Sequence, residues 1–156
     1  MKPGALLALT LHSNVGYCAG HPGDIAPDYG SWRLSESRLL GPRFVGFENE
    51  LIAMLDRLKP RLVVMQVAIG NGIAQDGGSL ARQQFGMMAY CAGECHRARV
   101  QLREVTAGDV RRDVLGKQDV GAWCRANGFR PGDNLQADAL ALWKHTCAVQ
   151  QRLAQY

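Results

Sequence analysis

At 156 residues the chain has the length of one ordinary domain (1–156), able to bury roughly two thirds of its unfolded surface in a core. Its content of 47% hydrophobic and 21% charged residues excludes a disordered or low-complexity chain, and apolar runs such as GALLAL and RLVVMQVAIG are far too short to span a membrane. A formal net charge of +4 permits a polyanionic partner without demanding one.

In chain order, ALLALTL (5–11) and VGYCA (15–19) are apolar runs either side of the turn-forming HSN, which predicts a β-hairpin. One lysine precedes the first run, polar residues follow it at once, and no signal-peptide cleavage site is recognisable. The segment is therefore expected as a buried strand of a cytoplasmic protein. After the Gly/Pro/Asp-rich GHPGDIAPDYG, GSWRLSE (30–36) predicts a third strand. Between 43 and 58, Phe44, Phe47, Leu51, Leu55 and Leu58 recur at three- and four-residue steps, the pattern of an amphipathic helix that Pro60 ends. RLVVMQVAIG (61–70) has no polar face until Gln66 and predicts a central strand covered on both sides. GNGIAQDGG (70–78) is a glycine-rich loop expected to be mobile, followed by a long helix over 79–98 with Ser79 as its cap. A strand over 100–105 leads to Thr106 and Asp109, spaced as a capping-box variant. A helix closed by Gly128 and a last helix over 133–155, capped by Asp133, complete an α/β domain with a mixed five-stranded sheet flanked by helices.

The five cysteines (Cys18, Cys91, Cys95, Cys124, Cys147) are odd in number and form no CxxC pair, which argues for reduced thiols over a disulfide framework or zinc ribbon. Cys91, Cys95 and His96 lie close on one predicted helix, where small-residue packing competes with a metal site. Tyr17, Trp32, Met87 and Met88 are expected as packing residues, and Trp143 as core or dimer contact. Basic residues cluster at 57–61, 96–103 and 110–117, with Arg125 and Arg130 beyond. They mark either a polyanion surface or solvated helix faces.

Five ordered motifs, LALTLHSNVGY, GSWRL, LVVMQ, GKQDVGAWCRANGF and ADALALWKH, run over essentially the whole chain. Together they resemble the RuvC-type Holliday-junction resolvases of the RNase H-like superfamily and their phage relatives. The resemblance implies a homodimer that binds branched DNA. It also implies a cleavage site in which three or four carboxylates hold two divalent ions about 3.5 to 4 Å apart. Carried over position by position, the first-strand aspartate falls at Thr10 and the central-strand glutamate at Gln66. The acidic residues before the final aspartate fall at Asn134, Leu135 and Gln136, while Asp138 is retained and His145 matches some resolvases. One acid of the set survives, so the resemblance implies no cofactor, or weak Mg²⁺ or Mn²⁺ at Asp138. Asp24, Asp28, Asp76 and Asp133 are not placed by the pattern to rebuild the cluster.

What this leaves is DNA binding by Lys117, Arg111, Arg112, Arg82 and the 70–78 loop with Asn71, and hence a pseudo-nuclease. Asp138 then has an alternative structural role, in a hydrogen-bond network with Thr10 and Gln66. The competing readings are an active metal-dependent endonuclease with an unusual ligand set, and a protein-interaction scaffold without DNA binding.

Overall fold

The computed structural model describes residues 4–67 and 78–153. β1 (Leu6–Leu11), β2 (Val15–Gly20) and β3 (Asp28–Trp32) form an antiparallel meander, followed by α1 (Leu40–Leu58), β4 (Leu62–Val67), α2 (Ser79–Arg97) and β5 (Gln101–Glu104). The short helix α3 (Ala107–Val110) runs into a π-helical turn (Arg111–Leu115), and α4 (Val120–Ala126) and α5 (Asn134–Leu153) end the described chain. The sheet is mixed, in the order β3-β2-β1-β4-β5, with β4 parallel to both β1 and β5.

Every residue of β1 is buried, because the strand is central and helices cover both of its faces. Alternation along it sends Leu7, Leu9 and Leu11 to a layer with Phe47, Leu51 and Met87 of α1 and α2. Leu6 and Ala8 face the opposite layer, with Leu140, Leu142 and Trp143 of α5. The Trp143 indole is buried and donates to the Gly20 carbonyl at 3.3 Å, so it is a core residue of this chain. Cys91 and Cys95 are buried in the α1/α2 layer while His96 is exposed, so the three side chains do not converge.

Three local expectations are corrected. β3 covers 28–32 where the sequence pattern predicts 30–36, because the Asn14 side chain accepts from the Leu34 amide at 2.8 Å and draws the chain off the ladder. α1 begins three residues before the predicted 43, with Pro42 inside the first turn, where a missing N–H costs nothing. Ser79 does not cap α2: the N-cap is Gly78 at φ 83°, a left-handed conformation that suits glycine. The predicted capping box at Thr106 and Asp109 forms, and Gly128 follows α4 at φ 81°. The end of the predicted fourth strand and nearly all of the 70–78 loop lie outside the described residues.

The hairpin tip between β1 and β2 is held by two buried glutamines of α2. Gln83 donates to the carbonyls of His12 and Ser13 at 3.2 and 3.0 Å, and Gln84 to that of Leu11 at 2.9 Å. Arg43 donates to Gln83 Oε1 at 2.6 Å and to the Ser37 carbonyl at 2.8 Å, fixing the amide's orientation. Replacing Gln83 by leucine takes the acceptor from a half-buried arginine and removes donors from two carbonyls. Gln83→Leu is expected to lower unfolding stability by about 1–3 kcal/mol in urea titration.

Candidate functional site

The registers of β1, β2 and β4 place Gly16, Thr10 and Gln66 side by side across three strands, on the face covered by α5. Thr10 is buried, and its hydroxyl donates to the Leu135 carbonyl in the first turn of α5 at 2.9 Å; the Gly16 carbonyl lies farther, at 3.4 Å. A Cβ at Gly16 would stand 2.1 Å from Leu135 O and 2.6 Å from Thr10 Oγ1, so only glycine lets the helix backbone lie directly on β2. The start of α5 is tied down from the other side as well. Asp133 accepts from the Gln136 amide at 2.8 Å, as an N-cap does, and from the Ser31 hydroxyl at 2.9 Å. Gln136 accepts from the Gly132 amide at 2.9 Å.

Gln66 is half-buried, and its Oε1 is fully buried without a hydrogen-bond partner among the described residues. Asp138 is half-buried too. Burial raises its pKa above the ordinary carboxylate value, His12 and Arg111 act to lower it, and Asp119 adds to the rise. The expected network of Asp138 with Thr10 and Gln66 is not formed: the threonine hydroxyl is engaged by backbone, and the glutamine oxygen has no donor among the described residues.

His145 is not brought to Asp138. Seven residues carry it about 10 Å along the helix axis, where its Nδ1 lies 3.2 Å from Asp113 Oδ2 without hydrogen-bond geometry. Burial holds the imidazole below its usual pKa, with Asp113 opposing. The other acids are engaged as well. Asp24 accepts from the His21 amide at 2.6 Å, Asp28 pairs with Arg57 at 3.1 Å, and Asp76 lies outside the described residues.

Among the predicted basic residues, Arg111 is exposed and donates to the carbonyls of Gly116 and Gln118 at 3.2 and 3.3 Å. Lys117, on the same loop, is exposed. Arg112 sits between Asp109 at 3.1 Å and Asp113 at 2.9 Å, so its charge is largely offset locally. Arg82 is exposed in the first turn of α2, and Asn71 is outside the described residues. Sequence reasoning missed His12, Gly16 and the glutamine clamp. The one available signal was the adjacent QQ within an otherwise apolar helix stripe.

A pair of Mg²⁺ ions needs several carboxylate oxygens converging from separate elements. No three His, Cys, Asp or Glu side chains converge among the described residues. The Thr10 hydroxyl already serves the α5 backbone and Gln66 is neutral, so the residues present do not fit the metal pair.

No protein-family profile matches the sequence, and no curated protein matches it. Solved structures do. Thermus thermophilus RuvC in complex with a Holliday junction substrate superposes with a TM-score of 0.76 at 15% identity, over 95% of this chain and 96% of that one. A second structure of T. thermophilus RuvC gives 0.73 at 15% identity with the same coverage. The yeast mitochondrial Holliday junction resolvase Ydc2 gives 0.76 at 10% identity, over 100% of this chain and 83% of that one. The fold is that of the RuvC-type resolvases. Within this RuvC-type fold, Thr10, Gln66 and Asp138 lie at the C-terminal ends of β1 and β4 and the start of α5.

Two outcomes follow. Gly16→Ala is expected to cost at least about 1–3 kcal/mol, the scale of overpacking, read as a fall in melting temperature. Asp138→Asn is expected to raise the melting temperature at neutral pH. The native state holds this carboxyl above its unfolded pKa, so ionisation destabilises the fold as pH rises through the interval between the two values. The gain should vanish below the ordinary carboxylate range, about pH 4, where both states are protonated.

Proposed function

We propose that this chain is a RuvC-like nucleic-acid-binding protein, directed at branched DNA, that does not cleave efficiently by the two-metal route. The observation that carries the reading is the row Gly16–Thr10–Gln66, in which a hydroxyl committed to the Leu135 carbonyl and a neutral amide stand where the resolvase pattern puts acids. Asp138 alone supplies too little charge to offset two divalent cations that resist dehydration.

The binding half of the proposal draws on the junction-bound RuvC structure that superposes over nearly the whole chain, and on the exposed Arg111, Lys117 and Arg82. These are the phosphate contacts we assign, with Arg112 secondary because two carboxylates already hold it. The chain would act as a homodimer. The outer face of α2 supports this, since it exposes Phe85 and Tyr90 beside Ala89 and Gly93. No described helix is long and apolar enough to cross a membrane.

The test is a denaturing gel of end-labelled four-way junction and plain duplex incubated with the protein in Mn²⁺, beside the Thr10→Asp/Gln66→Glu double variant. The unmodified protein is expected to leave both substrates intact while shifting the junction on a native gel. Paired symmetric cuts by the unmodified protein would instead establish an active endonuclease with an unusual ligand set. An intact junction that is also not shifted would favour a protein-interaction scaffold.

A further inference from the structure

We infer that a cavity between α4 and the start of α5 binds a terminal phosphate, a phosphomonoester carried by a free nucleotide or by the end of a nucleic-acid strand, through the guanidinium groups of Arg125 and Arg130. None of Gly16, Thr10, Gln66 and Asp138 lines this cavity, and the inference does not rest on the proposed function.

The cavity has a volume of about 340 Å³, and its lining includes Arg125 of α4, Phe129 and Arg130 of the connecting loop, and Asp133 and Asn134 where α5 begins. That volume lies at the small end of the range for ligand pockets. Both arginines are exposed, and neither forms an ion pair with a carboxylate among the described residues. Arg130 Nη1 donates to the Phe129 carbonyl at 3.1 Å, a neutral acceptor that leaves its charge unoffset. An added Cβ at Gly121 would lie 3.4 Å from Arg125 Nη1 and 3.1 Å from Asp119 Oδ2, so glycine there leaves the guanidinium room. Asp119 itself serves as the N-cap of α4, accepting from the Ala122 amide at 3.1 Å.

Two unpaired guanidinium groups lining one cavity call for an anion of matching charge. A phosphomonoester carries about −1.5 to −2 at neutral pH, whereas a phosphodiester or a carboxylate, with a single charge, would leave one arginine unmatched. The planar guanidinium fork also fits phosphate oxygens in pairs. The loop that carries Arg130 is pinned on both sides. The Phe129 amide donates to the Cys124 carbonyl at 2.9 Å, the Arg130 amide donates to the Tyr29 hydroxyl at 3.2 Å, and the Phe129 ring packs on Trp123 and Tyr29. A site held this way loses little freedom when it is filled. Asp133 is the acid of the lining that opposes an anion, and both of its oxygens are engaged, Oδ1 by the Gln136 amide at 2.8 Å and Oδ2 by the Ser31 hydroxyl at 2.9 Å. Because Asp133 already takes that amide, the attraction comes from the arginines and not from the helix end.

Binding is measured by isothermal titration calorimetry at low salt, with deoxyadenosine 5′-monophosphate, with deoxyadenosine, and with a short oligothymidylate bearing either a 5′-phosphate or a 5′-hydroxyl. The monophosphate is expected to bind and the nucleoside to give no heat. Arg125→Ala and Arg130→Ala should each weaken the monophosphate by about tenfold or more, the scale of one charge-assisted contact. Their melting temperatures should stay unchanged, since both side chains are exposed. Asp133→Asn, which can still accept from the Gln136 amide, should tighten binding about two- to fivefold, a gain that a misfolded variant could not produce. Tighter binding of the 5′-phosphorylated strand than of the monophosphate would make a strand end the source of the phosphate, and equal affinity would make it the free nucleotide. Either result supports the site, and the 5′-hydroxyl strand measures what the basic surface at Arg111 and Lys117 contributes. Phosphorylated probes that bind no better than their unphosphorylated counterparts, or binding indifferent to both arginine substitutions, would overturn this inference while leaving the junction-binding proposal standing.

Discussion

The contact on which this site depends is the seat of α5 on the sheet. The Thr10 hydroxyl reaches the Leu135 carbonyl, and the absent side chain of Gly16 lets the helix backbone descend onto β2. A carboxylate at position 10 would face that carbonyl with like partial charge and no proton to donate, so the present helix position and an acid at residue 10 are incompatible without an ion or a shift between them. The neutral residue and the close packing are therefore two aspects of one arrangement. Asp133, Ser31 and Gln136 secure the same helix end from β3, which makes it a doubly anchored element.

Several carboxylates brought together at a strand end repel one another and raise one another's pKa unless cations intervene. The charge of Asp138, at the start of α5, is disfavoured by burial and moderated by His12 and Arg111. A further acid, Asp113, serves a structural end: it gathers Arg112, Arg152 and the buried His145 where the π-helical turn meets α5.

Much of the fold was legible in order and type. The period-two and period-3.6 patterns identify the strands and long helices, and the capping signals at Thr106, Asp133 and Gly128 correspond to observed helix ends. The errors fell where one residue's side chain competes with another's backbone. Asn14 ends β3 early by taking the Leu34 amide, and Gly78 displaces Ser79 from the cap of α2 by its left-handed backbone. Neither contact is visible to a local pattern. At the site, the resemblance matches both Asp138 and His145, but distance along the axis of α5 separates them, and packing against the π-helical turn claims the histidine.

The sequence by itself determined the chemical content of the site: which ligand positions of the resolvase pattern are neutral at Thr10 and Gln66, and that Asp138 remains. It determined the element order too, because hydrophobic period is a local property of the chain. Only the tertiary structure decided what those residues do. Register across β2, β1 and β4 aligns Gly16, Thr10 and Gln66, and the depth at which α5 sits turns the Thr10 hydroxyl into a backbone tether. These contacts join residues up to 125 positions apart, and their geometry is set by packing between layers, which no single segment encodes.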